Sequence, residues 1–290
     1  MRTSRKLASE IKDGGEDSDL DEFRELADKL QYFPLTDNQT GVYYECMQSP
    51  DEIKYSMPTV IRFGSDVDAN KLKDAVIKTV EAHPYIKTRI ITTENGSLKQ
   101  YKNNGAEIDE IEIVKVDSIS DDEIVENDVK RFNFGNEQLF RFKIYETSDE
   151  TILFSDFHHI ITDGVSQNNL FRDIADIYEN RDLSEEIIDG YVYSILEKDA
   201  ENSEIYQSAE AFFDDKLTQG IESTVLTPDL NGNPDEGKIK NVSDTIDSEL
   251  INEFCNDNSI SKNALFIAST ILNLNKFTFT DKSLITTIFN

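Results

Sequence analysis

The chain has 290 residues, 38% of them hydrophobic, which is enough to bury a sizeable core in one or two domains. Its 58 acidic residues against 29 basic ones leave a formal charge of −29, which repels phosphate backbones and anionic headgroups and sets aside nucleic acid and membrane surfaces as partners. No apolar run is long enough to span a bilayer and the N-terminus lacks a secretory signal, so a cytoplasmic address is expected; Cys46 and Cys255 form neither a disulfide framework nor a metal cluster.

Residues 1–18 are charged and glycine-bearing, and read as a short helix followed by a linker, with the compact part starting near Leu20. Thr36 or Asp37 caps a helix through NQTGVYYECMQ, with Val42, Tyr43 and Cys46 on one side. YSMPTVIRF is strand-like. Asp68 opens an amphipathic helix in which Leu72, Val76 and Val80 recur every four residues beside Ala75 and Thr79, and Pro84 ends it. YIKTRIIT, SLKQYK and EIVKV follow as short strands divided by glycine-bearing turns. DDEIVENDVKRF reads as a helix, and LFRFKIYE and TILFSDFHH as two strands joined by a tight turn.

From Asp163 the spacing turns helical to about Asn180, with Val165, Leu170, Ile174, Ile177 and Tyr178 on the buried face. Residues 184–219 read as mostly helical, and LTPDLNGNPDEGK as a crossing loop. A strand, KIKNVSDTI, two helices around SELINEFCN and SKNALFIASTILNLNKF, and a strand start, SLITTIF, complete the order. Strands and helices alternate, which is the pattern of an α/β fold.

Only three histidines occur, and two are adjacent in FHHIITDGVS. They end a strand just before a helix opens at Asp163 and Gly164, a junction that exposes side chains at a sheet edge beside the free N–H groups of a helical first turn. Neighbours on a strand face opposite sides, so one of His158 and His159 is structural and the other is free for proton transfer near neutral pH. A lone histidine pair is ordinarily a satisfied core or capping position. Here that account explains neither the pairing nor Gly164, where a close backbone approach is expected. Asp163 has two readings, a helix cap or one half of a buried ion pair, and Arg141 on the neighbouring strand is the candidate cation.

FHHIITDGVSQNNLFRDIADIY resembles the HHxxxDG signature segment of nonribosomal peptide synthetase condensation domains, of the chloramphenicol acetyltransferase-like superfamily. PLTDNQTGVYYE, ANKLKDAVIKTVEAHPYIKTRI, FNFGNEQLFRFKIYE, AEAFFDDKL and the stretch from Ser261 to Asn290 resemble further family segments in the same order, covering roughly residues 32–290. Lys87 stands where the family usually has arginine. The resemblance implies an α/β lobe of the acetyltransferase type, a mixed sheet flanked by helices, with a second lobe only begun. Residues 1–19 form a linker faintly resembling the end of a carrier domain, 20–180 the N-terminal lobe, 181–237 a helical connection and inter-lobe loop, and 238–290 the start of the C-terminal lobe.

Carried over by residue, His159 matches the active-site histidine, His158 the structural one, Asp163 the motif aspartate that pairs with an arginine mapped to Arg141, and Gly164 the motif glycine. The implied reaction is amide-bond formation between a carrier-bound acyl or peptidyl thioester and a carrier-bound aminoacyl amine. Substrates ride on the 4'-phosphopantetheine of upstream and downstream peptidyl carrier domains, with an adenylation domain in the same synthetase and no metal or other cofactor bound directly. The family site lies between lobes, so residues up to Asn290 are expected to supply one wall of it, and 238–290 to expose apolar surface. Alternatives are a non-catalytic carrier-docking module, a CoA-dependent acyltransferase, a cyclisation domain, which has aspartates in place of the histidine pair, or an epimerisation domain, which usually carries tryptophan soon after the glycine, where this chain has Ser166-Gln167-Asn168.

Overall fold

A computed structural model describes residues 17–50, 52–135, 137–184, 186–218, 224–226 and 243–285. In chain order the elements are α1 (Asp17–Lys29), β1 (Tyr32–Phe33), α2 (Asp37–Gln48), β2 (Thr59–Gly64), α3 (Ala69–Ala82), a 3₁₀ turn (Pro84–Lys87), β3 (Arg89–Thr92), β4 (Leu98–Tyr101), β5 (Glu112–Lys115), α4 (Asp121–Asp128), β6 (Phe140–Glu146), β7 (Glu150–Phe157), α5 (Gly164–Tyr178), α6 (Gly190–Ala200), α7 (Glu204–Thr218), α8 (Ser248–Asp257) and α9 (Lys262–Thr278). The described elements group into two compact units, one running from α1 to Tyr206 in the first turn of α7 and the other from Gln207 through α9.

The first unit is built on a four-stranded mixed sheet of order β2-β7-β6-β5, antiparallel except for the β5–β6 pair. Register puts Phe140 opposite Phe157, Arg141 opposite Asp156 and Phe142 opposite Ser155. Because side chains alternate along a strand, the two faces differ. Phe140, Phe142 and Ile144 of β6 with Leu153 and Phe157 of β7 meet Leu72, Val76 and Val80 of α3 and Leu170 and Ile174 of α5 in the main core. On the other face Tyr145, Ile152 and Phe154 pack under Ile124 of α4. Burying each such side chain contributes about 1.5–3 kcal/mol, so the faces hold the helices without help from surface charge. A second sheet, β1-β4-β3, is antiparallel, and Phe33 on β1 meets Tyr191 of α6 at 4.5 Å within a smaller core that includes Leu20 and Ala27 of α1.

Local sequence signals account for most of these boundaries. Thr36 makes a full capping box with Gln39, Asp68 caps α3 through Lys71 N–H, and the Leu72-Ala75-Val76-Thr79-Val80 stripe is buried. The short strands 89–92, 98–101 and 112–115 lie inside the three segments read as strands. Helix α1 and strand β1 carried no recognised signal: α1 is mostly polar, and only tertiary contact with α6 settles it. The helix expected over 121–132 stops at Asp128, because the Asp128 and Lys130 carbonyls accept from Arg141 and Phe132 lies under that guanidinium.

In the second unit α8 and α9 form as expected, capped by Asp247 and Ser261. They leave Leu250, Phe254, Phe266, Leu272 and Phe277 exposed. The strand expected over 238–246 does not form at 243–246, where no described strand offers partners for its N–H and C=O groups; 238–242 lie outside the described residues. Residues 283–285 are likewise not strand, and 286–289 lie outside the description, as do the helix expected before residue 17 and the crossing loop over 227–238.

His83, at the C-terminal cap of α3, joins three segments. Its Nε2 stands 2.8 Å from Asp173 Oδ2 on α5, and its Nδ1 3.1 Å from Glu186 Oε2, while Arg172 Nε lies 3.7 Å from the other Asp173 oxygen. Two carboxylates facing both ring nitrogens call for an imidazolium, and the hydrogen bond that Nδ1–H donates to Glu186 raises the pKa against the pull of burial. A raised histidine pKa adds stability that is fully present below the unfolded value of about 6.5 and is lost as pH rises through the folded value. His83→Gln should therefore flatten the decline in Tm between mildly acidic and alkaline buffer. An identical decline in variant and wild type would remove His83 from this role.

Candidate functional site

Strand β7 carries its chain to Phe157, and His158 continues it by one bridge to Ser56. The turn that follows is held by backbone hydrogen bonds at each step: His158 N–H to Leu139 O at 2.8 Å, His159 N–H to Tyr55 O at 2.8 Å, and Ile161 N–H to His158 O at 3.1 Å. Alternation then separates the two histidines. His158 is buried, stacked on Tyr55 and edge-on to Phe132 and Phe134. His159 is exposed, and its ring takes no hydrogen bond among the described residues.

The His158 ring is fixed in one protonation state by its partners. Nδ1 accepts from Ile160 N–H at 3.1 Å, which leaves the proton on Nε2, 3.7 Å from Cys46 Sγ. Burial, with His159 beside it, depresses the pKa to about 4, so the ring stays neutral at physiological pH. In a spectrum of the ¹⁵N-histidine-labelled chain, the His158 ring should hold the Nε2–H tautomer unchanged from pH 8 to pH 5. Titration of that ring near 6.5 would contradict this.

Asp163 is the N-cap of α5. Its Oδ1 accepts Ser166 N–H at 2.8 Å and Ser166 Oγ–H at 2.7 Å. Burial pushes its pKa upward, but the hydrogen bonds from Ser166 N–H and Oγ–H, with His159 nearby, outweigh it and hold the carboxyl below its usual range. The first-turn N–H of Ser166 is thus satisfied inside the chain rather than offered to a ligand. Gly164 opens α5, and a Cβ there would meet no atom within 4 Å among the described residues; the close backbone approach expected at this glycine is not made within the chain.

The expected ion pair between Asp163 and Arg141 does not form. Register places Arg141 directly opposite Asp156 on the face under α4, and Arg141 Nη1 lies 3.4 Å from Asp156 Oδ2. Asp163 lies beyond the strand end, with its carboxylate engaged at the helix cap. Asp156 is completely buried, two residues before His158 on the same side of the strand, and burial raises its pKa to about 6 against the pull of Arg141. Arg141 also lies 3.8 Å above the Phe132 ring, which in turn touches His158. Neither Asp156 nor Phe132 was singled out in the sequence; the available signal was a lone aspartate within the apolar run TILFSDF. Among the described residues no group of three potential metal ligands gathers, and no helix is long and apolar enough to cross a membrane.

The strand end thus presents an exposed histidine beside a buried neutral one, followed by a capped helix. The family model described as "Condensation domain" matches residues 29–290. The chain belongs to the condensation-domain family. Among curated proteins it is similar to a plipastatin synthase subunit of Bacillus subtilis (strain 168), 26% identical over 210 residues, covering 71% of this chain and 5% of that one. Surfactin synthase subunit 2 of the same organism is 25% identical over 188 residues, covering 64% and 5%. The chain thus spans about 5% of the length of these curated relatives.

Among solved structures, the first condensation domain of the calcium-dependent antibiotic synthetase, in complex with a substrate analogue, superposes with a TM-score of 0.63 at 15% identity, over 86% of this chain and 62% of that one. The X-domain from teicoplanin biosynthesis, seen in complex with OxyB, gives 0.59 at 20% identity over 70% and 47%. These likenesses show a condensation-domain fold, the mixed α/β lobe with helices flanking its sheet.

Proposed function

We propose that this condensation domain forms an amide bond between two carrier-bound substrates, with His159 as the residue that meets the reacting amine. The observation that carries the reading is the division of labour in the histidine pair: His158 is buried, neutral and fully partnered, while the adjacent His159 ring is exposed and unengaged. In the reaction the amine nitrogen of the acceptor attacks the donor thioester carbon. The new C–N bond forms, the C–S bond breaks, the donor carrier's pantetheine thiol departs with a proton, and the lengthened chain remains on the acceptor carrier. His159 accepts a hydrogen bond from the amine and relieves it of its proton as the bond forms. Asp163 and the α5 cap keep the motif turn in place next to it.

On the same reading, upstream and downstream carrier domains deliver substrates on 4'-phosphopantetheine, an adenylation domain supplies the amino acid, and the reaction takes place in the cytoplasm. Residues 20–180 form the first lobe and 238–290 begin the second. The test is product formation in the full-length polypeptide with donor and acceptor carriers separately loaded. Transfer of the labelled acyl group to the acceptor carrier as an amide supports the reading, and carrier binding without transfer would favour a docking module instead.

A further inference from the structure

The motif turn is held from outside by one side-chain amide. Gln39, in the first turn of α2, is buried, and its Nε2 lies 2.9 Å from the carbonyl oxygen of Ile160, the residue next to His159. The same nitrogen lies 2.9 Å from Tyr85 Oη and 3.2 Å from Gln100 Oε1. An amide nitrogen has two protons for these three neighbours. Tyr85 Oη donates to Gln100 Oε1 at 2.7 Å and so accepts from Gln39, which assigns the two amide protons to Tyr85 Oη and Ile160 O. Gln39 Oε1 accepts the Thr36 N–H at 2.9 Å and Gln100 Nε2 donates to Pro34 O at 2.8 Å. The opposite amide orientation would set oxygen against the Ile160 and Gln100 oxygens, so the network allows one orientation only.

We infer that Gln39 is a positioning residue for the reaction, its amide holding the Ile160 carbonyl and thereby setting where the His159 ring stands. This rests on the reading of His159 given above. Residue 160 is gripped on both sides, its N–H by the His158 ring at 3.1 Å and its C=O by Gln39. The clamp is itself pinned by a helix cap, a 3₁₀ turn and a strand of the second sheet, through Thr36, Tyr85 and Gln100. Ile160 and Gln100 are buried, so water cannot replace a lost donor without opening the core. The exposed His159 ring takes no hydrogen bond among the described residues, so its place is inherited from the backbone of this turn.

Gln39→Glu separates the clamp from the cap. The introduced carboxylate keeps the volume and the acceptor for Thr36 N–H but has no proton for Ile160 O. When protonated it regains one, and burial raises its pKa, so the defect should be relieved as pH falls. The variant should show faster amide hydrogen exchange at Ile160 and Ile161 and altered His159 ring signals in the ¹⁵N-histidine spectrum. Product formation should drop about 10- to 100-fold in kcat, the loss expected when a reacting group is displaced by roughly 1 Å, with KM for loaded carriers unchanged and partial recovery at lower pH.

A folded Gln39→Glu chain whose exchange at 160–161 and His159 signals match wild type would overturn the inference. Should the variant fail to fold, the wild-type chain decides. Scalar coupling across the hydrogen bond from Gln39 Nε2 to the Ile160 carbonyl carbon should be present, and its absence would overturn the clamp. Failure of the underlying reading looks different: the turn responds to Gln39→Glu as described, while His159→Ala leaves product formation intact.

Discussion

His159→Ala should lower the rate of amide-bond formation by about 10²–10⁴-fold while leaving the fold as it is, since that is the range lost when a positioned proton acceptor is removed. The structural part of this expectation follows from exposure. The His159 ring takes no hydrogen bond among the described residues, so its removal opens no cavity and leaves no buried group without a partner. Exposed substitutions of this kind change stability by no more than about 0.5 kcal/mol. Single-turnover transfer between loaded carriers gives the rate, and urea unfolding gives the stability. Turnover within a few-fold of wild type would remove His159 from the chemistry. A loss of stability comparable to the loss of rate would mean that the two histidines had exchanged roles.

Arg141→Met should destabilise the domain by about 3–5 kcal/mol at pH 8, the cost of leaving a buried carboxylate without its cation. Asp156 is completely buried, and Arg141 stands 3.4 Å away as its charged partner. The amides of Met57 and Phe157 and the Ser56 hydroxyl also favour its charged form, but neither carboxylate oxygen is met in hydrogen-bonding geometry. Methionine keeps an apolar stem of similar length and removes the guanidinium, with its charge, its carbonyl contacts and its place over the Phe132 ring.

The sign with pH is set by the carboxyl. A folded-state pKa raised to about 6 means that protonated Asp156 is the form the folded chain prefers, so its contribution is present at low pH and is lost as pH climbs through about 6. Removing Arg141 raises that pKa further, so the Arg141→Met defect should be largest at pH 8 and smaller at pH 5, where the carboxyl carries its proton. Asp156→Asn should cost less, because Arg141 retains the Lys130 carbonyl at 2.7 Å and the Phe132 ring. Urea midpoints at the two pH values decide the matter, and a pH-independent Arg141→Met defect would show that Asp156 is not the group left behind.

Much of this protein was determined by short-range pattern alone. The spacing of Leu72, Val76 and Val80 makes one face of a helix apolar, and Asp68 is a cap because an oxygen at that position reaches an N–H three residues on; at Thr36 and Asp163 the same pattern offered the cap as one of two readings. Strand alternation by itself required the adjacent histidines to face opposite ways, and the ordered family segments are written in the residues. None of this depends on knowing which strand lies beside which.

What only the tertiary structure decided depends on pairing between distant segments. Arg141 and Asp163 looked like partners from the order of their segments, yet the β6–β7 register sets Asp156, not Asp163, opposite the guanidinium. Gln39 stands 121 positions before Ile160, and its amide reaches that carbonyl only because α2, β4 and the end of β7 converge. Helix α1 is settled by the α6 surface it covers rather than by its own polar sequence. Sequence periodicity reports the angle between a residue and its near neighbours, whereas register and convergence are properties of long-range packing, which local spacing does not encode.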